Sequence, residues 1–402
     1  MDGTATDESN SRTIPWDSGT FYVILSSSLM GVMGVSLISP VLPQLQAVFD
    51  VSDAQIGLVI TAYTLPGVFL TPFIGLIADR IGRRRVIIPL LFIFGAAGAG
   101  MALATSFTEL LALRFLQGIG ASALVTLAVT LIGDVYEGGR QNAVMGVNSS
   151  MLGTGAALYP LIGGGLAGIR WNVPFLFFGV GILVGVFALV VLPEPDGQQS
   201  TDVRTYIRRL RDVSTDPQAA AIFVAIFVIF FVFYGAVQTA LPLLLSDEFA
   251  LTSGEIGVTL SMVAVASATV SSQYGRISQW RTAPELVALG FVAYGISLLG
   301  LWIAPSPIFV GLSLLAFGVG FGIVMPSVDT TIVTLVSNRL RAGMMGMRTS
   351  VLRLGQTLGP VAFTFLAETA FETSTTGYRT LILGFGLLIL ASGLLAYPFL
   401  RR

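Results

Sequence analysis

The chain of 402 residues is 54% hydrophobic and only 11% charged, with a formal net charge of −1. A soluble domain carries about 25% charged residues, so an ordinary water-facing surface is excluded, and a near-neutral chain argues against nucleic acid as a partner. There is no Cys and no His, which excludes disulfides, thiolate metal sites and imidazole ligands. No metal and no cofactor are expected, and any proton coupling falls to carboxylates.

A helix needs about 20 apolar residues to cross a ~30 Å hydrocarbon core. Apolar stretches predict helices over roughly 20–43, 54–78, 86–105, 108–133, 142–167, 172–192, 219–245, 254–274, 284–303, 307–330, 343–367 and 378–399. The polar start, 1–19, lacks the basic opening of a secretory signal, so the first apolar run is expected to stay as a helix. The longest polar stretch, 193–218, predicts a linker between bundles 20–192 and 219–399, with a short tail at 400–402. In that linker Val203, Ile207 and Leu210 share one helical face, and Arg204, Arg208 and Arg211 another. A helix lying on the membrane surface and a disordered charged linker fit that pattern equally. Taking the N-terminus as cytoplasmic places sixteen Arg in inner loops and tails against two outside, Arg170 and Arg379. That bias predicts both termini in the cytoplasm and a multi-pass protein of the cell membrane.

The halves repeat at a shift of 200 residues: Ile56-Gly57 falls on Ile256-Gly257, Gly118 on Gly318, Gly155 on Gly355 and Pro160 on Pro360. The expected fold is therefore all-α and integral to the membrane, with twelve transmembrane helices in two pseudo-symmetric six-helix bundles. A site near the midplane between such halves is the general consequence.

Four motifs carry the functional reading. The first follows the second helix: Gly75, Asp79, Arg80, Gly82, Arg83, Arg84 and Arg85. It resembles the loop signature of the major facilitator superfamily between helices two and three. In the second, Arg114, Gln117, Gly118 and Ala121 lie on one face of helix four. This resembles the fourth-helix motif of proton-coupled members. The third, in helix five, comprises Gly155, Pro160, Gly163 and Gly164, with Tyr159 where the antiporter motif has Gly. In helix one, Gly34 to Pro43 resembles the first-helix motif of the twelve-helix drug antiporters, without the acid that some members carry there.

The resemblance implies that Asp79 faces the start of helix eleven, that Arg83 pairs with Asp134, and that these groups latch a gate. Gly75 is expected to permit close helix approach, and Gly82 a tight turn. A purely topological role for the Arg cluster is the plainer alternative. Arg114 is costly in a bilayer, so it faces either the protein interior or, by snorkelling past Glu109, the outer surface. Asp329 and Glu109 are the candidate proton carriers. Asp329 is also a candidate partner for Arg348. Arg353, near mid-membrane, is a candidate for an anionic substrate or an unplaced carboxylate. Phe21, Phe115, Phe230, Tyr234, Phe317 and Phe321 line an apolar cavity, face lipid or pack between helices.

The function expected from this resemblance is secondary transport by alternating access: proton-coupled export of small amphipathic or drug-like molecules by a monomer in the lipid bilayer. Uptake or exchange of a metabolite or organic anion is the alternative within transport. A non-transporting membrane sensor or scaffold is the alternative of another class. No enzymatic activity is expected.

Overall fold

The computed structural model describes residues 14–193, 217–335 and 338–400. The predicted linker helix around Val203 lies outside the described residues. The described secondary structure is helical throughout, and it forms twelve long helical segments. They are α1 (Gly19–Phe49), α2 (Asp53–Ile81), α3 (Arg83–Leu103), α4 (Phe107–Val135), α5 (Gly138–Ala167) and α6 (Val173–Val191). The second set is α7 (Pro217–Val232, continuing to Phe249), α8 (Ser253–Ser272), α9 (Ala283–Ile303), α10 (Pro307–Leu335), α11 (Asn338–Ala370) and α12 (Ser374–Leu400).

Ten of these are long and apolar enough to cross a membrane. The other two, α5 and α11, are as long but carry polar and small residues such as Asn148, Ser149 and Ser150 or Arg348, Arg353 and Gln356. Such a helix is stable in a bilayer only when neighbouring helices cover its polar side.

The 200-residue repeat is visible in the backbone. Helices begin at Asp53 and Ser253, at Arg83 and Ala283, at Phe107 and Pro307, and at Gly138 and Asn338. The two non-glycine residues with positive φ, Asp50 (49°) and Ala250 (52°), are also 200 apart. Each ends its helix in the left-handed conformation, its N–H bonded back to Gln46 O or Leu245 O.

The lead helices of the two halves are distorted at matching places. α1 breaks after Ser36, resumes as a 3₁₀ turn at Ser39–Val41, and continues as Leu42–Phe49. Pro40 has no N–H to donate, which opens the helix there. α7 instead widens into a π-helical segment at Phe233–Ala240. Composition predicted neither irregularity, because each stays within one apolar run. The predicted end of the first helix at 43 is accordingly extended to Phe49.

By packing, the chain forms two compact units. Unit 1 is Met1–Gly34, Ala62–Gly155 and Phe175–Thr201; unit 2 is Val35–Thr61, Ala156–Pro174 and Asp202–Arg402. The chain passes from one to the other inside α1, α2 and α5 and at the start of α6. Lipid tails are as apolar as Leu, so helices here associate by close packing rather than by burial from water. In unit 1, Gly31 lies on Val125, Gly120 on the backbone of Phe94, and Gly95 on that of Ile182. In unit 2, α7 packs on α11 through Gly355 and Gly359, which meet the carbonyls of Phe227 and Phe231.

Candidate functional site

In unit 1 the break in α1 creates a polar socket. Ile38 donates its N–H to Val35 O (3.0 Å), so the Gly34 carbonyl is released from the helical ladder. The Arg114 guanidinium of α4 takes it: Nη2 donates to Gly34 O at 3.0 Å, and Nη1 donates to Gln117 Oε1 at 2.8 Å. The guanidinium carbon also lies 4.7 Å from the Tyr63 ring centroid, a cation–π distance. Arg114 and Gln117 are fully buried, so the interior reading of Arg114 describes this structure, not snorkelling.

Two glycines set that geometry. A Cβ on Gly34 would fall on the Tyr63 ring, and one on Gly118 would fall on the Tyr63 carbonyl. The small positions of the helix-one and helix-four motifs therefore bring α1, α2 and α4 close enough to enclose one cation.

A second cluster in unit 1 joins α2, α3 and α4. Arg83 Nε donates to Asp134 Oδ2 at 3.0 Å, and Arg83 Nη1 pairs with Asp79. Gly82 sits between Asp79 and Arg83 with φ 105°, a conformation that L side chains rarely adopt. Arg84 donates to Leu189 O at 2.6 Å, tying α3 to α6, while Arg80 is exposed. Gly75 departs from expectation: a Cβ there would meet open space, so it makes no close helix approach in this structure.

In unit 2, α5 carries its motif as a packing seam. A Cβ on Gly163 would strike Leu37 O of α1, and one on Gly164 would strike Ser253 O of α8. Gly257 of α8 meets the Pro160 carbonyl, and Ser261 Oγ donates to Ala157 O at 2.7 Å. Gly155 is buried.

The intramembrane charges of unit 2 separate. Arg348 Nε pairs with Asp329 Oδ1 at 2.7 Å, linking α11 to α10. Arg353 points elsewhere: its Nη1 donates to Gln356 Oε1 (3.3 Å), and Gln356 Nε2 donates to Tyr234 Oη (2.9 Å). Beside Tyr234, Phe230 and Phe233 of α7 meet Phe321 of α10 at ring-centroid distances of 5.9 and 5.4 Å. Phe317 packs against Phe233 and Tyr294 and is fully buried. Phe21 is likewise buried, against Trp16, and Phe115 is exposed.

Glu109 does not join the buried groups. Its Oε2 accepts from Thr105 N (2.8 Å) and Thr105 Oγ1 (2.9 Å), while Ser106 Oγ accepts from Glu109 N. This is a capping arrangement at an exposed helix start. The Ser106-x-x-Glu109 spacing carried that signal in the sequence.

Sequence reasoning missed a polar cluster in unit 2, at the opposite ends of α2 and α11 from Asp79 and Asn338. Glu368 Oε2 accepts from Ala54 N at 2.6 Å, placing a carboxylate on the positive start of α2. Gln46 Nε2 donates to Asp53 Oδ1 at 2.5 Å, and Arg379 pairs with Glu248. Each acid adjoins a helix end, where it reads in sequence as an ordinary cap.

Comparison with known proteins assigns the family. The model of the Major Facilitator Superfamily matches residues 24–244 and 234–402, nearly the whole chain. The chain belongs to the major facilitator superfamily. Among its relatives in this superfamily is the bacillibactin exporter of Bacillus subtilis (strain 168), 27% identical over 365 residues, covering 87% of this chain and 90% of that one. Multidrug resistance protein 1 of the same organism is 23% identical over 352 residues, covering 85% and 88%. A bacterial homolog of the human lysosomal transporter Spinster, solved inward-facing and unoccupied, shares the fold with a TM-score of 0.80 at 18% identity, covering 97% and 98%. As a superfamily member the chain is a transporter and not an enzyme.

Proposed function

We propose that the protein is a proton-coupled exporter of small amphipathic or drug-like molecules, working by alternating access as a monomer in the plasma membrane with both termini in the cytoplasm. The observation that carries this reading is the Arg114 socket: a buried cation in the fourth-helix motif, held at a break in the first-helix motif. A charge kept in a bilayer at a cost of several kcal/mol is retained for function. The names of two relatives matched over most of their length, a bacillibactin exporter and a multidrug resistance protein, support the substrate class and direction. Asp329, paired with Arg348, is the candidate proton carrier. The Asp79–Arg83–Asp134 cluster is the candidate latch that one state makes and the other breaks.

The test uses purified protein in liposomes loaded with a pH-sensitive dye. Under an imposed proton gradient, lipophilic cations or neutral amphiphiles are expected to trigger proton movement, and Asp79→Asn is expected to abolish it. Tracer flux with no proton movement would replace antiport with facilitated or sodium-coupled transport.

One observation favours a second substrate class. Arg353, Gln356 and Tyr234 place donors beside the aromatic side chains of Phe230, Phe233 and Phe321, which suits an organic anion. On that reading Arg353→Gln lowers transport of aromatic carboxylates about 10-fold or more, the loss of one charge-assisted contact, and leaves lipophilic cations unaffected. Equal loss for both classes would make Arg353 structural.

A further inference from the structure

Unit 2 contains a cavity of about 740 Å³, and none of the site residues described above is in its lining. It lies between α7, α9, α10 and α12, near the helix ends beside Arg281. Ala225 and Val228 of α7, Val287 and Phe291 of α9, and Leu388 and Ser392 of α12 line it. Along α7 it runs from Ala221 to Val228, about 10 Å at 1.5 Å per residue. On one side the wall is closed by close packing, since Gly393 of α12 meets the carbonyl of Ala288.

The lining offers an occupant no free side-chain donor and only two hydroxyl oxygens as acceptors. Its two hydroxyls are already engaged: Thr331 Oγ1 donates to Ser327 O (2.7 Å), and Ser392 Oγ donates to Leu388 O (2.7 Å). Sites for drug-like molecules combine an apolar wall with a few placed polar groups; here the wall is almost wholly apolar and holds no charged side chain. A bare hydrocarbon chain asks for none. The polar features lie just outside, on the turn leading into α9. There Arg281, three residues before Pro284, is exposed, and Trp280 is 83% exposed. An indole at this level marks the membrane–water boundary, and a cation there attracts anionic lipid.

We propose that this cavity holds an acyl chain of an anionic phospholipid drawn from the leaflet at the Arg281 end, with its phosphate on Arg281. The full-length protein, stripped of lipid in detergent, is titrated with phosphatidylglycerol or phosphatidylcholine and followed by native mass spectrometry and thermal melting. Wild type is expected to retain phosphatidylglycerol several-fold better than phosphatidylcholine and to melt higher with it. Ala225→Phe, which puts a ring into the middle of the cavity, should lose retention of both lipids while its lipid-free melting point holds or rises. Arg281→Gln should keep binding but lose the preference for phosphatidylglycerol. If Ala225→Phe melts lower without lipid, Ser392→Phe at the exposed rim gives the same reading. Wild-type lipid retention in a correctly folded filling variant would overturn the proposal. So would displacement of phosphatidylglycerol from wild type by a lipophilic cation, which would make the cavity a substrate site.

Discussion

Arg114→Lys is expected to lower coupled transport at least 10-fold while leaving the protein folded. Both residues carry one positive charge, so the difference isolates geometry. The guanidinium is a planar fork that donates to Gly34 O and Gln117 Oε1 while lying 4.7 Å from the Tyr63 ring centroid. An ammonium on a flexible stem is a hydrated point charge and reproduces neither the fork nor the stacking. Losing one charge-assisted bond of about 1.5–3 kcal/mol corresponds to roughly a 10- to 150-fold effect wherever that bond is made selectively in one state. A companion variant, Arg114→Met, removes the buried charge but leaves Gly34 O and Gln117 Oε1 without their donor, and its melting temperature is expected to fall modestly, by the equivalent of about 1–3 kcal/mol. The decisive readout is proton-driven flux in liposomes beside melting temperature in detergent. Wild-type flux in Arg114→Met would reduce Arg114 to packing.

The second large effect concerns three consecutive glycines of α5 and has opposite signs within one turn. Gly163→Ala and Gly164→Ala are expected to destabilise the protein, by about 1–3 kcal/mol for an overpacked contact. Their new methyl groups would land on Leu37 O and Ser253 O, which are backbone atoms and cannot rotate away. Gly165→Ala meets nothing within 4 Å and gains helix propensity, up to about 1 kcal/mol. Melting of the three variants in one detergent checks this directly. Equal behaviour at all three positions would mean that the seam is not formed in the bilayer.

Those glycines also show where the sequence stops being legible. Their spacing marked α5 as a helix that packs closely, and its motif resemblance pointed to the right helix. Which of three adjacent glycines touches a neighbour depends on helix rotation, which spacing alone leaves open. Gly75 is the reverse case: the motif suggested a contact, and the structure has open space. The helices were legible because a bilayer demands long apolar runs, and the 200-residue repeat placed both halves in register. The socket was half legible. Arg114 and Gln117 were named from their shared face, but the Gly34 carbonyl was hidden, because a backbone acceptor appears only once the helix breaks. Tyr63 was hidden as well, since nothing in an apolar stretch distinguishes an aromatic ring over a cation from one facing lipid. Arg348 and Arg353, five residues apart in sequence, diverge: Arg348 pairs with α10, and Arg353 reaches α7 only through Gln356 of its own helix.

The seam in unit 2 also bears on how the chain is made. Gly164 of α5 leaves the ribosome 89 residues ahead of its neighbour Ser253 of α8 (253 − 164 = 89), and Gly57 of α2 precedes its neighbour Thr364 of α11 by 307 (364 − 57 = 307). At roughly 5–20 residues per second, the first wait lasts about 5–20 s and the second about 15–60 s. During those intervals the unit 2 portions of α1, α2 and α5 stand in the membrane without the helices they are shaped to meet. A ribosome that stalls after α6 would therefore leave an inserted fragment with bare glycine faces and an α2 start that lacks the Glu368 carboxylate, a recognisable target for membrane quality control.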